Sequence, residues 1–287
     1  MGRAAAGGRR EPLCRLVRFE ATDGVPLAGL LYGVPASASA ILWLHGTGGA
    51  SIFESARTNL MARIFNQHGL AFFPFNNRGA QFVRRAGRRY GGSAFERIRD
   101  CVFDVEGAVC ELRRRGFRDI TLAGHSTGAN KIAVYDHYKK RNRVKRYVLL
   151  AGADDTGLLY NELGPRRFRA YLNKARTMAP NKFVPARMMS WRAFYDMANP
   201  NGDYNVFAFN SSTRGRRPFR FIRGIKKPAL YIYGENDEFG FDAGLLGKYI
   251  GRRGEIVVMR DADHGFSGRE EELTRLIAEW VRATVPA

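Results

Sequence analysis

Ser126 stands in Gly124-His125-Ser126-Thr127-Gly128, directly after the apolar run Ile120–Ala123 and at the head of the helical stretch Thr127–Arg141. A serine on so sharp a strand-to-helix turn takes a strained backbone conformation, and flanking glycines keep side chains out of the crowded turn. Its hydroxyl becomes a nucleophile once a neighbouring imidazole takes the proton. His264, in Arg260-Asp261-Ala262-Asp263-His264-Gly265-Phe266 just past the apolar run 255–259, is of the type that exchanges a proton near neutral pH. Asp237, in Gly234-Glu235-Asn236-Asp237 just past the run 228–233, is placed to fix the imidazole tautomer. Glu235, Glu238, Asp261 and Asp263 compete for that role, and position beyond the strand end favours Asp237. The glycine-rich turn His45-Gly46-Thr47-Gly48-Gly49 leaves the run Ile41–Leu44. Uncovered N–H groups in such a turn stabilise a developing oxyanion by about 3–4 kcal/mol each. The backbone amides of Thr47 and Thr127 are the expected pair. His45 reads as a structural residue under the loop. His68, His125 and His137 are weaker candidates for the base: one ends a helix, one belongs to the elbow and one sits mid-helix.

The elements that must position these groups alternate along the chain. Cys14–Thr22 alternates apolar and polar residues, and Gly24 turns it into Leu27–Tyr32, a hairpin pattern. Ile41–Leu44, Ala71–Phe75, Ile120–Ala123, Tyr147–Ala151, 228–233 and 255–259 are short apolar runs of buried parallel strands. Phe53–His68, Phe95–Gly116, Thr127–Arg141 and Arg269–Arg282 carry helical periodicity. Residues 155–225 interrupt the alternation and are too long for a connecting loop, which predicts an inserted helical cap. The expected organisation is a flexible basic head over 1–11, a core over 12–154 and 226–287, and the cap between.

Composition bounds the rest. With 287 residues, 45% apolar content and three cysteines, the chain is neither disordered nor a disulfide scaffold. No apolar run reaches the roughly 18 residues of a membrane span, and the basic N-terminus lacks a signal-peptide core. Reduced cysteines suit a cytoplasmic protein. Absence of an HxxxH pair, a Cys/His cluster, a P-loop or GxGxxG after a strand predicts no metal and no cofactor. Lys and Arg exceed Asp and Glu by 47 to 27, a net +20. Most of the excess is arginine, scattered in separate clusters with no nucleic-acid motif. An arginine-rich proteome gives the same composition, and no nucleic-acid partner is expected.

Taken together, HGTGG, GHSTG, GEND and DADHGF, in that order, resemble the α/β-hydrolase superfamily over residues 12 to 285 outside the cap. The threonine after the serine is similar to a branch that includes fungal siderophore-ester hydrolases, and esterases of aromatic acids are another neighbour. The resemblance implies an α/β-hydrolase fold: a sheet of about eight mostly parallel strands flanked by helices, with a helical cap. It implies hydrolysis of a small-molecule carboxylic ester or lactone, with Ser126 as nucleophile, Asp237 as orienting acid and His264 as base. Asn77-Arg78-Gly79 resembles a turn of the family in which the arginine is structural. Arg84, Arg85, Arg88 and Arg89 leave the same sheet edge, and the cap adds Arg166, Arg167, Arg169, Lys174 and Arg176. Together they form a positive mouth for anionic substrates or, the preferred reading, a solvated charged surface. The cap aromatics Phe168, Tyr171, Phe183, Trp191, Phe194 and Tyr195 line an acyl pocket or pack the cap itself. Thioester hydrolysis or acyl transfer would use the same machinery. A rival of another kind is a non-catalytic anion- or nucleic-acid-binding protein on the same fold.

Overall fold

Eight of the apolar and alternating runs become one sheet. A computed structural model describes residues 12–34, 36–47, 50–54, 57–86 and 89–284. The expected flexible head at 1–11, Gly48, Gly49 and Arg88 lie outside the described residues. In chain order the elements are β1 (Arg15–Glu20), β2 (Pro26–Leu31), β3 (Ser39–Leu44), α1 (Arg57–Gln67) and β4 (Ala71–Asn76). Next come β5 (Arg84–Ala86), β6 (Arg89–Gly91), α2 (Cys101–Arg114), β7 (Asp119–His125), α3 (Thr127–Tyr138) and β8 (Arg146–Leu150). The chain ends with α4 (Asp155–Ala175), α5 (Trp191–Ala198), β9 (Ala229–Gly234), α6 (Ala243–Gly247), β10 (Gly254–Met259) and α7 (Glu270–Ala283).

The sheet order is β1-β2-β4-β3-β7-β8-β9-β10. β2 is antiparallel to both β1 and β4, and every other pairing is parallel. β4, β8 and β9 are buried along their whole length, which is why they read as unbroken apolar runs. Parallel direction has a functional effect: the loops leaving β3, β4, β7, β9 and β10 all emerge at one edge of the sheet. Between β4 and α2, where no apolar run marks a strand, β5 and β6 pair as a small antiparallel hairpin. Its Arg-Arg-Ala and Arg-Tyr-Gly strands lack the apolar alternation that would have announced it.

The inserted segment divides in two. Within α4, Gly164 takes φ 72° and ψ 160°, and Pro165 restarts the helix after this break. Leu159, Leu163, Phe168, Val184, Trp191 and Phe194 build a small core of their own. Residues further on join the main core instead, with Tyr204, Phe207, Phe219, Phe221 and Ile222 buried against the sheet. Of the aromatics expected in a cap, Phe168, Trp191 and Phe194 are therefore consumed by the packing of this small core, with Tyr171 edge-on to both Trp191 and Phe194. Among the described residues no helix is long and apolar enough to cross a membrane.

Candidate active site

Ser126 lies between the end of β7 and the start of α3 with φ 57° and ψ −129°, a left-handed backbone that an L-residue holds only at a cost of about 1–3 kcal/mol. The strain is imposed from both sides. Ser126 N–H donates to Leu150 O at 2.9 Å, and Ser126 O accepts from Ala129 N at 2.8 Å. A Cβ on Gly124 would fall 2.7 Å from the backbone of Gly128, and one on Gly128 would fall 2.5 Å from Leu44 O. The loop after β3 comes over the serine, where a Cβ on Gly46 would meet Ser126 Cβ at 3.2 Å.

His264 follows β10 and reaches the loop after β9. Its Nδ1 lies 3.0 and 3.1 Å from the two carboxylate oxygens of Asp237. A ring nitrogen facing a carboxylate carries the proton, so Nε2 keeps the lone pair that a base needs. That Nε2 is buried and has no hydrogen-bond partner among the described residues, Ser126 Oγ included. Leaving such an atom unpaired costs about 1–3 kcal/mol.

Two side chains fix the main chain of this histidine, and a third holds that of its neighbour. Its N–H donates to Glu238 Oε2 at 3.1 Å, and its carbonyl accepts from His125 Nε2 at 2.7 Å. The guanidinium of Arg57 donates to the next carbonyl, that of Gly265, and pairs with Glu270 at 3.3 Å. The rings of His125 and His264 lie 4.9 Å apart, and Phe239 packs edge-on to His264 at 4.4 Å. Burial pushes the His125 imidazole down to about 4, so it stays neutral. Sequence reasoning weighed Glu238 only as a rival of Asp237. In the structure Asp237 takes the ring and Glu238 the backbone. Glu235 instead accepts from Asp261 N–H at 3.2 Å.

On the opposite side, His45 Nδ1 donates to Gly46 O at 2.7 Å and its Nε2 accepts from Asn77 N–H at 3.3 Å. Burial, with the nearby Lys131 charge, pushes this imidazole down to about 3. A trans peptide points its N–H opposite to its carbonyl, so holding Gly46 O beneath the loop aims Thr47 N–H away from His45. Thr127 opens α3, and its hydroxyl donates to the buried carboxylate of Asp155, 3.1 and 3.2 Å from the two oxygens. Asn130 Nδ2 adds a bond to Asp155 at 2.9 Å. Burial pushes the Asp155 carboxyl up to about 7. Under the elbow, fully buried Lys131 and Glu96 pair at 2.7 Å, and Lys131 also donates to Asn77 Oδ1 at 3.2 Å. Asp155, Asn130 and the Lys131–Glu96 pair had no sequence signal, because their partners are remote in the chain.

The arginines are placed less centrally. Arg78 is held by Asp23 and Asp104, both at 2.8 Å. Arg84 donates to Pro26 O at 3.3 Å and lines a cleft of about 420 Å³ with Asp23, Arg78, Tyr90 and Asp100. None of Ser126, Asp237 and His264 lines that cleft. Arg85 is exposed, and Arg88 and the side chain of Arg89 lie outside the described residues. His68 Nδ1 donates to Ile64 O at 2.9 Å at the end of α1, and His137 packs against Tyr138 and Phe221. A separate cavity of about 170 Å³ runs beneath the loop after β3. Gly46, His125, Phe266, Met61, Phe72 and Leu273 line it, whereas Ser126, Asp237 and His264 do not.

Residues 41–276 match the alpha/beta hydrolase family. No curated protein matches the chain by sequence. Among solved structures it is similar to Est1E from Butyrivibrio proteoclasticus with ferulic acid bound, with a TM-score of 0.66 at 16% identity over 93% of this chain and 98% of that one. It is also similar to the esterase domain of a Rhodothermus marinus protein, with a TM-score of 0.60 at 15% identity over 94% and 98% of the two chains. For the carboxylesterase CesB from Bacillus subtilis the TM-score is 0.57 at 15% identity over 94% and 92%.

Proposed function

The chain belongs to the alpha/beta hydrolase family, and from that premise we propose that it is a serine esterase working through an acyl-enzyme. His264 Nε2 takes the proton of Ser126 as its Oγ bonds to the ester carbonyl carbon, and the carbonyl oxygen becomes an oxyanion facing the amides of Thr47 and Thr127. Collapse breaks the bond to the alkoxy oxygen, which leaves as the alcohol with the proton held on His264. Water then repeats the cycle, releasing the carboxylic acid and restoring Ser126. Asp237 holds the imidazole in the working tautomer throughout.

One observation carries this reading: a buried histidine with one ring nitrogen fixed on a carboxylate and the other unpartnered, its backbone bonded to His125 of the strained serine elbow. The cavity of about 170 Å³ suits a short acyl chain or a single aromatic ring, since a space of about 150 Å³ holds benzene. Ferulic acid in Est1E makes hydroxycinnamoyl esters worth including among the substrates tried. Acidic esters belong to the proposal only where they reach across β3 and β4 to Arg84, and a rate insensitive to ionic strength removes them from it.

The test is labelling with a fluorophosphonate probe, followed by turnover of p-nitrophenyl esters, thioesters and lactones. Wild type should label and cleave acetyl to butyryl esters, and Ser126→Ala should do neither. A folded wild type that refuses the probe overturns the proposal. Faster cleavage of thioesters than of esters would reassign the substrate class while keeping the mechanism.

A further inference from the structure

The basic clusters that lie apart in the chain meet in the fold. In a parallel sheet each helix-to-strand connection returns to the amino end of the strands, opposite the edge that carries Ser126. β7, β8, β9 and β10 are neighbours, and the pairings Thr121↔Arg146, Tyr147↔Ala229 and Gly254↔Ala229 bring their first residues nearly level. Residues 113–119, 139–145, 223–227 and 252–253 lead into these strands. Those 21 residues hold 14 Lys and Arg against a single acid, Asp119, and so carry +13 of the chain's +20. The other 266 residues share +7.

The connections form one surface. Lys227 Nζ donates to Asn142 O at 3.2 Å and to Val144 O at 2.6 Å, and Ala229 N donates to Arg253 O at 3.0 Å. Four strands about 4.8 Å apart span roughly 15 Å. Charges on adjacent connections therefore lie within the screening length of about 10 Å at 0.1 M salt. Asp119 is committed to Arg146 at 2.9 Å, while Glu111 pairs with Arg114 and Arg115 and Glu106 pairs with Lys139 at 3.4 Å. Lys140, Arg141, Arg143, Lys226, Arg252 and Arg253 are exposed and make no ion pair among the described residues. Two ordinary explanations fall short. Helix C-termini favour a cation or two in the last turn, which accounts for Arg113 and Arg114 of α2 but not for the five cations after α3 or for 226–227 and 252–253. An arginine-rich composition alone would not gather fourteen cations into the connections at one end of the sheet.

We propose that this amino-end face binds the phosphodiester backbone of a nucleic acid, without sequence selection. Nine of the fourteen cations are arginine, whose planar fork grips phosphate oxygens in pairs. A bilayer is the poorer fit. Tyr138, a large side chain exposed beside these connections, has its hydroxyl bonded to Asp203 at 2.9 Å and its ring under Arg99, so it is not available as a wedge. With no free aromatic platform there among the described residues to stack bases, a duplex should bind at least as well as a single strand. This inference is independent of the ester chemistry, because its readout is binding.

The experiment is fluorescence anisotropy of a labelled 20-base-pair DNA duplex, titrated with the full chain from 50 to 200 mM salt. A face variant carries Arg141→Ala, Arg143→Ala, Arg252→Ala and Arg253→Ala. A cap variant of equal charge carries Arg166→Ala, Arg167→Ala, Arg169→Ala and Arg176→Ala, and Lys140→Ala with Lys226→Ala is a second, milder face variant. Each phosphate contact contributes about 0.9 to the slope of log affinity against log salt. The face variant should bind at least about tenfold more weakly at 50 mM salt with a slope shallower by about 3, the milder one should lie between, and the cap variant should bind like wild type. Failure of wild type to bind at 50 mM salt overturns the proposal, as does equal loss in face and cap variants. Capture by phosphatidylserine vesicles without duplex binding overturns it in favour of a lipid surface.

Discussion

His125 Nε2 donates to the carbonyl oxygen of His264 at 2.7 Å, so the residue preceding the serine holds the backbone of the histidine that would deprotonate it. Two loops 139 residues apart are thereby referenced to each other and not only to the sheet. His125→Ala should leave the fold intact and lower kcat by about one to two orders of magnitude, because a misplacement near 1 Å costs that much in a reaction dependent on alignment. His125→Gln should recover part of the loss, since its amide N–H can reach the same carbonyl. Turnover and the rate of fluorophosphonate labelling check both, and equal activity of all three forms would mean the bond does no positioning.

Asp237 and Glu238 are adjacent in sequence, but their bonds to His264 differ in kind. Asp237→Asn should reduce kcat by about 10⁴, because an amide facing Nδ1 favours the wrong tautomer. Glu238→Gln should cost far less, as its amide oxygen still accepts the His264 N–H. Steady-state kinetics of the two variants decide it, and a reversal of their order would hand Glu238 the orienting role.

In the proposed mechanism His45 bears on the oxyanion side. Without its bond to Gly46 O, the peptide between Gly46 and Thr47 is free to rotate and turn Thr47 N–H out of the site. His45→Ala should lower kcat by about 10² to 10³ with little change in KM, the pattern of a contact made mainly in the transition state. Loss confined to KM would place the defect in substrate binding.

Buried acids and imidazoles give stability an opposed dependence on pH. The Asp155 carboxyl is raised from 3.8 to about 7 and that of Asp196 to about 6, so over those ranges the folded chain keeps protons that the unfolded chain releases. Stability from these two falls as pH rises. His45 and His125 are lowered from 6.5 to about 3 and about 4, so below pH 6.5 the unfolded chain binds protons that the folded chain refuses. Their contribution falls as pH drops. Asp155→Asn removes one acid contribution and should melt above wild type at pH 8, by a few kcal/mol in free energy, with the gap closing towards pH 4. Thermal melts at the two pH values check this, and equal destabilisation at both would show that the bonds to Thr127 and Asn130 outweigh the burial of charge.

Strand ends were the legible part of the sequence. Parallel strands buried on both faces leave unbroken apolar runs, so the positions of Ser126, Asp237 and His264 just beyond such runs could be read directly. The second half of the insertion could not. Tyr204, Phe207, Phe219 and Phe221 enter the core from turns and short helical pieces, and their irregular spacing carries neither helical nor strand period. Nor could the sequence assign Glu238 to the His264 backbone, or pair Lys131 with Glu96, since those choices are made by contacts between remote segments. The charge clusters looked scattered because sequence order conceals that four connections end on one side.

The two glycines of the elbow face main chain and not side chains, so no neighbour can rotate aside to admit a methyl group. A substitution at 124 or 128 would have to lift α3 bodily off the strands and carry the hydroxyl and the Thr127 amide with it. The height of the Ser126 hydroxyl is thus inherited from backbone spacing alone, which leaves the surrounding side chains free to diversify around a fixed point.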